Sequence, residues 1–329
     1  MADIYPFQGI RYNQAVTADL AQVICPPYDI ISPQLQSALY WRSEHNFIRI
    51  EHARELPHDT ASENKYTRSA ATLTQWLAQG ILTVETAPAV YLHDHYFQYQ
   101  GREYRRRGIV ALVRLEEWDS RVIRPHEGTL ANARSDRLTL LRTLKANTSS
   151  ILALFEDPGG HIASALAAGE KDEPIISFNA DDGERHALWA ISEGEMVAPI
   201  RQHLAHQPLY IADGHHRYET ALAYQHLRRA SHNPDIETPA DFCLAACMSA
   251  ADPGMVIRAC HRVVSWADGP APAEILEAAA AWFDIERLGG ASINDVLAAM
   301  RRRTSLGCCL LYTSPSPRDL STSRMPSSA

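Results

Sequence analysis

None of the six cysteines in this chain of 329 residues belongs to a CxxC pair. Cys243 and Cys247 sit four apart in the apolar run DFCLAACMSA, which suits buried reduced thiols better than metal ligands. No disulfide framework is expected from such usage, in keeping with a reducing compartment. Also missing is any apolar run long enough to approach a membrane span. The N-terminus MADIYPFQGIRYN lacks the basic-then-apolar order of a signal peptide, so the chain reads as cytoplasmic, with no membrane partner. Positive charge is short as well. The net charge is −8, and no basic patch is large enough for a nucleic-acid partner. The nearest one, Arg102 with Arg105, Arg106 and Arg107, flanks a hairpin turn at Gln100-Gly101 and reads as a solvated strand end. There is no internal repeat, and no Gly/Ser linker divides two domains.

What is present is the composition of a globular protein, 46% hydrophobic and 21% charged, long enough to bury a sizeable core. The pattern is that of an α/β (α+β) chain. Ser32 followed by Pro33 starts a helix through Leu39. A second helix is expected over about 60–79, with Tyr66, Ala70, Leu73 and Leu77 on one face and Gly80 as its stop. A long hairpin over 90–118 follows, then a helix marked by Leu138, Leu141 and Leu144 and a buried strand at 151–155. Asp181-Asp182-Gly183 is the turn of another hairpin. Further helices fall near 197–205, 216–229 and 273–283, with a last helical pattern at 293–303.

The stretch PLYIADGHHRYETALAY, Pro208 to Tyr224, carries the most chemistry. Leu209, Tyr210 and Ile211 suit a buried strand, and Gly214 permits a sharp turn. Tyr218, Ala221, Leu222 and Gln225 then recur at helical spacing. Unpaired N–H groups at such a helix start attract an anion, and Arg217 adds a bidentate donor. Asp213, His215 and His216 bring acid–base and ligand chemistry to the same turn. An ordinary strand–turn–helix corner, its aspartate only a cap, explains the spacing equally well.

Two other loops carry candidates. His126, Glu127 and Thr129 precede a helix whose start holds Asp136 and Arg137, a set that can supply a general base and a charged clamp, or merely an N-cap and surface charge. In CPPYD, Pro26 and Pro27 stiffen the backbone that presents Tyr28 and Asp29, to a pocket or to a plain turn. His93 and His95 share one face of a strand and His215 and His216 are adjacent. Each pair can ligate a metal, but a half-buried surface pair accounts for the first as well.

The string DGHHRY resembles the phosphate-binding box of the ParB and sulfiredoxin-like superfamily, here Gly214, His215, His216 and Arg217, with Tyr218 following. PFQGIRYN, CPPYDIIS, HEGTLANARSDRLTLL and ANTSSILALFED, in this order, resemble a bacterial family called domain of unknown function 1015, related to free serine kinases. The likeness covers about 5–264. It departs from the expected pattern at Arg134-Ser135, where Lys-Glu is expected, and at Ser149-Ser150-Ile151, where Ser-Pro-Ile is expected. An arginine at position 134 keeps the charge but loses a deprotonatable amine. The resemblance implies a ParB/sulfiredoxin-like nucleotide-binding core with additional strands and helices. It also implies a nucleotide-dependent phosphotransferase acting on a small hydroxyl metabolite such as free L-serine, using Mg2+ with ATP or ADP. Glu127, Asp213 and His126 would be catalytic, Tyr28, Asp29, Thr129 and Arg137 would line the substrate pocket, and Asp213 would hold magnesium through the phosphates. The alternatives are a ParB-like nucleotide-binding regulatory switch and a metal-dependent hydrolase built on the histidines.

Cys309 to Ala329, CLLYTSPSPRDLSTSRMPSSA, is similar to a translated sequencing adapter and offers no apolar periodicity to bury. It carries two arginines and one aspartate, so the rest of the chain stands at −9. The expected organisation is one family domain over 1–307, incomplete at its C-terminus, and a non-native disordered tail over 308–329.

Overall fold

Gln100 (φ 51) and Gly101 (φ 75) both adopt left-handed backbone, the combination that a two-residue hairpin turn demands. They join the longest strands of the molecule, whose register closes with Tyr99 opposite Arg102. The computed structural model describes residues 2–128, 131–168, 173–192, 197–230, 236–257, 269–289 and 292–300. In chain order the elements are β1 (Ile4–Tyr5), β2 (Ile10–Tyr12), α1 (Pro33–Arg42), α2 (Ile48–Glu51), α3 (Lys65–Ala78), β3 (Leu82–Val84), β4 (Ala89–Tyr99), β5 (Arg102–Arg114), β6 (Ile123–Arg124), α4 (Ala131–Leu144), β7 (Ile151–Phe155), α5 (His161–Ala168), β8 (Ile176–Asn179), β9 (Arg185–Ser192), α6 (Val197–Leu204), β10 (Leu209–Asp213), α7 (His215–Arg229), β11 (Phe242–Ser249), α8 (Pro272–Ala280) and α9 (Ile293–Met300).

Local signals account for the helix ends. The Ser32 side chain accepts from Leu35 N ahead of Pro33. Helix α3 starts at Lys65, later than about 60, because Asn64 accepts from the Tyr66 and Thr67 amides while Thr67 reaches back to Asn64. The strands form a mixed nine-stranded sheet in the order β6-β10-β7-β11-β5-β4-β9-β8, with β1 also on β5; β2 and β3 pair separately. β6 runs parallel to β10 and β7 parallel to β11, while the other pairs are antiparallel. This is an α/β architecture. Cys243 and Cys247 are buried free thiols on the central strand β11.

Fully buried aliphatic side chains of β4, β5, β7, β10 and β11 share one core with α5, α6 and part of α7. A smaller cluster of Ile50, Trp76, Ile81, Leu82, Leu140 and Leu144 joins α2, α3 and α4. Contacts divide the chain into two units, Met1–Ile257 and Arg258–Ala329. In the second unit the described elements are α8, whose Glu274 carboxylate accepts from Ala271 N at 3.0 Å, and α9. The expected adapter-like tail lies outside the described residues. Among the described residues, no helix is long and apolar enough to cross a membrane.

The arginine cluster at the hairpin is not simply a solvated strand end. Arg107 is buried and grips Asp94, itself 0% exposed, with Nε and Nη2 at 2.6 and 2.5 Å. Arg106 donates to His95 Nδ1 at 2.7 Å, so His95 carries its proton on Nε2 and presents it to Glu184. His186 stacks on His95 with ring centroids 4.4 Å apart and 11° between planes, and on His93 at 5.4 Å and 8°. Ligand atoms of His95, Glu184 and His186 lie within 4.8 Å of one another, with the His95 Nε2 proton turned to Glu184. Burial is the main cause that pushes His93 and His186 down to about 4 and lowers His95 as well. These imidazoles stay neutral in the folded chain while the unfolded chain takes up protons below about pH 6.5. Their contribution is complete above that value and is lost as pH falls towards 4. Thermal unfolding should give a lower Tm at about pH 5 than at about pH 7.5, and His93→Gln should narrow the gap. A variant with the full wild-type pH dependence would remove this cluster as the cause.

Candidate functional site

The parallel pairing of β6 with β10, Ile123 opposite Leu209 and Arg124 opposite Tyr210, brings the ends of both strands to the same sheet edge. The loop after β6 therefore meets the turn after β10. His126 Nδ1 lies 2.8 Å from the Ile211 carbonyl, and His126 N donates to His215 Nε2 at 3.2 Å. His126 and Glu127 thus reach the turn that holds Asp213 and Gly214.

Gly214 has φ 91 and stands at the N-cap of α7 with no side-chain cap. A Cβ there would also lie 3.0 Å from the Arg217 guanidinium carbon. The helix start keeps the partial positive charge of its orphan amides. Arg217 folds back over the glycine, pairs with the Asp213 carboxylate four residues earlier and donates to the Ser150 carbonyl. Its side chain is only 13% exposed, against 56% for Asp213. Sequence spacing suggested an open arginine; the structure shows one already engaged.

Protonation states follow from these bonds. Because the Ile211 carbonyl accepts from His126 Nδ1, that proton is fixed and Nε2 keeps a lone pair. For His215 the order reverses: Nε2 accepts the His126 amide, so Nδ1 bears the proton, 3.1 Å from Glu127 Oε1. The alignment falls short of a hydrogen bond, leaving Nδ1 buried and otherwise unpartnered. Burial first, and His126 second, lower the His215 pKa against the pull of Glu127 and Asp213. A neutral imidazole with an N–H facing a carboxylate positions and stabilises the charge of Glu127, which is 55% exposed. Ligand atoms of His126, Glu127 and His215 lie within 4.8 Å of one another. With His215 Nε2 accepting from the His126 amide and the ring proton on Nδ1, however, only two of the three groups offer a lone pair for a metal.

Arg137 is the centre of a second group. Its Nη1 donates to the Glu51 carbonyl at 3.0 Å and lies 3.3 Å from Glu51 Oε1, while Nε and Nη2 hold Asp136 Oδ2 at 2.9 and 2.6 Å. Its guanidinium also covers the Tyr28 ring, 4.1 Å from the centroid. Asp136 takes further bonds from Lys65 at 2.7 Å and Tyr66 at 2.8 Å. Burial pushes the Asp136 carboxyl up, but Arg137, Lys65 and Tyr66 outweigh it and hold the group down to about 2. Arg137, Arg217, Ser149 and Thr220 surround a gap of about 40 Å³, and the buried Thr220 hydroxyl there has no partner. That volume holds about one water or a group of similar size.

The structure therefore collects His126, Glu127, Asp213, Gly214, His215 and Arg217 at one turn, and Arg137 with Arg217 about the adjoining gap, Tyr28 lying against Arg137. Asp29 is exposed beside Tyr28, and His216 lies in the first turn of α7. Tyr218 turns into the core. Fully buried, its hydroxyl donates to the Glu116 carbonyl and accepts from the Glu116 amide, each at 2.9 Å, which pins α7 to the end of β5. Thr129 and the side chain of Arg134 lie outside the described residues. Glu51, Lys65, Ser150 and Thr220 escaped sequence reasoning, since each looks like ordinary helix or loop polarity. Arg137→Ala should lower stability by about 3–5 kcal/mol, because Glu51 would stay buried without its counter-charge. Denaturant unfolding checks this; a loss under about 1 kcal/mol would mean that the pair is solvated.

No curated protein and no solved structure matches the chain. A family model does, and it spans residues 4–319, past the boundary near 307 suggested by the tail composition. With nearly the whole length matched, the chain belongs to the family described as protein of unknown function (DUF1015).

Proposed function

We propose that the chain is a nucleotide-dependent phosphotransferase acting on a small hydroxyl metabolite. The observation that carries this reading is the meeting of His126 and Glu127 with the uncapped, glycine-led start of α7 beside Arg217. Donor phosphates lie against the first amides of α7 and take over the Arg217 guanidinium from Asp213, a charge-assisted contact replacing an ion pair. The acceptor hydroxyl loses its proton to Glu127, oriented by His215, or to His126 Nε2. Its oxygen attacks the terminal phosphorus as the bridging P–O bond breaks and the shortened nucleotide leaves. Asp213, a hard and exposed oxygen donor, fits a magnesium ion carried on ATP or ADP, which would neutralise phosphate charge. Free L-serine is the first acceptor to try, through the likeness to free serine kinases.

One observation favours a second reading. Arg217 is closed on Asp213 and Ser150, so displacement by phosphate would free Asp213 and the loop at 150. A nucleotide-operated regulatory switch uses that displacement without an acceptor.

Arg217→Ala should weaken nucleotide binding about tenfold to a hundredfold in calorimetry with the fold retained, as expected for a charge-assisted contact. Unchanged affinity in a folded variant removes the phosphate assignment. Glu127→Gln should leave nucleotide affinity nearly intact while turnover falls by about two to four orders of magnitude. Nucleotide consumption measured with and without an amino-acid pool separates the readings. Acceptor-dependent turnover supports transfer, and acceptor-independent turnover supports the switch.

A further inference from the structure

The pairing of β4 with β9 puts three imidazoles and a carboxylate on one face of the sheet. His95 lies directly opposite His186 in that register, and His93, two residues back along β4, points to the same side. Glu184 closes the turn between β8 and β9, its amide bonded to Asp182 Oδ1 at 2.9 Å and its carbonyl accepting from Ala180 N at 2.7 Å. The backbone thus brings these groups together. None of them belongs to the Gly214 turn, so the cluster stands apart from the phosphotransferase reading.

Zinc holds imidazole nitrogen and carboxylate oxygen at about 2.0–2.2 Å, which sets its ligand atoms about 3–4 Å apart. His95, Glu184 and His186 offer theirs within 4.8 Å, so small side-chain rotations close the set. The Glu184 side chain is 35% exposed and gives an entry path from solvent. His93 supplies support from behind, its Nε2 lying 3.1 Å from His186 Nδ1. When His186 donates through Nδ1, its own Nε2 keeps the lone pair and the ring orientation is fixed.

Arg106 is the informative neighbour. By donating to His95 Nδ1 it keeps the ring proton on Nε2, facing Glu184, in the place that a cation would take. An incoming ion replaces that proton at Nε2. The imidazole stays neutral with its proton on Nδ1, and Arg106 gives up its bond and turns towards Asp252, whose charge already acts on it.

We propose that His95, His186 and Glu184 form a zinc site, with His93 orienting His186 and Arg106 competing for His95. Two imidazoles and one carboxylate suit zinc and leave a fourth position to water. Magnesium, which takes oxygen ligands, is not held by this set.

The test is a calorimetric titration of zinc chloride into the full chain after a chelator has stripped it of metal. Zinc should saturate one site at this cluster. Glu184→Gln and His186→Gln should each weaken binding about a hundredfold, and His93→Gln about tenfold. Arg106→Gln should tighten it about fivefold by removing a like charge and the competing donor, a gain that a plain hydrogen-bonded cluster does not give. Should His186→Gln fail to fold, Glu184→Gln, made at the more exposed side chain, decides alone. His126→Gln, in the cluster at the Gly214 turn, should leave the affinity unchanged. Absence of saturable zinc binding overturns the proposal. So does binding that survives Glu184→Gln, as zinc on free thiols would, or binding that is lost in His126→Gln or weakened in Arg106→Gln.

Discussion

A buried guanidinium cannot be left without counter-charge and donor partners, and Arg137 meets that demand by drawing separate stretches of chain onto itself. Glu51 comes from the end of α2, Asp136 from α4, and Tyr28 from the CPPYD loop. Through Asp136 the network extends to Lys65 and Tyr66 at the start of α3, and Ser149 reaches the same Glu51 carboxylate at 3.1 Å. The small apolar cluster of α2, α3 and α4 adjoins this network but is non-directional. Orientation comes from the fork of Arg137, which accepts few geometries. One consequence is functional: the loop at 148–150, which also accepts from Arg217, is held by the clamp and by the Gly214 turn together.

Sequence made the parts legible where a local rule decides them. Gln100-Gly101 and Asp181-Asp182-Gly183 announce hairpins because few residues tolerate positive φ. Ser32-Pro33 announces a helix because its capping atoms lie within one turn. The strand–Gly214–helix unit was readable for the same reason. Strands β1 and β6 were not, since two residues carry no periodicity and exist only through their partners. The register of β6 on β10 is equally silent in sequence, yet it alone carries His126 and Glu127 to residue 213. Their meeting was expected from the family likeness and not from any spacing. The burial of Tyr218 was legible in its place in the helical repeat with Ala221, Leu222 and Gln225.

Charge also behaves differently from its formal sum. A chain at −8 still places cations where they act, because many arginines are committed internally. Arg107 answers the fully buried Asp94, Arg106 fixes the proton on His95, and Arg137 answers Glu51. What looked like a basic hairpin end is partly core electrostatics.

The Gly214 turn has the same character of a satisfied site that a ligand must reopen. Arg217 already has an anionic partner in Asp213, so the phosphate proposed for this turn would gain only the difference between two charge-assisted contacts and would bind more weakly than the charges suggest. On the proposed reading that competition would also link occupancy to catalysis. A phosphate that captured Arg217 would release Asp213 as a free carboxylate beside the newly arrived charge, where repulsion favours a cation between them. Glu127 feels no such exchange, because its partner His215 is fixed by the His126 backbone and stays neutral. On the proposed reading the turn would thus pair one carboxylate whose state depends on the ligand with another whose state does not, the division of labour that a metal-and-base mechanism requires.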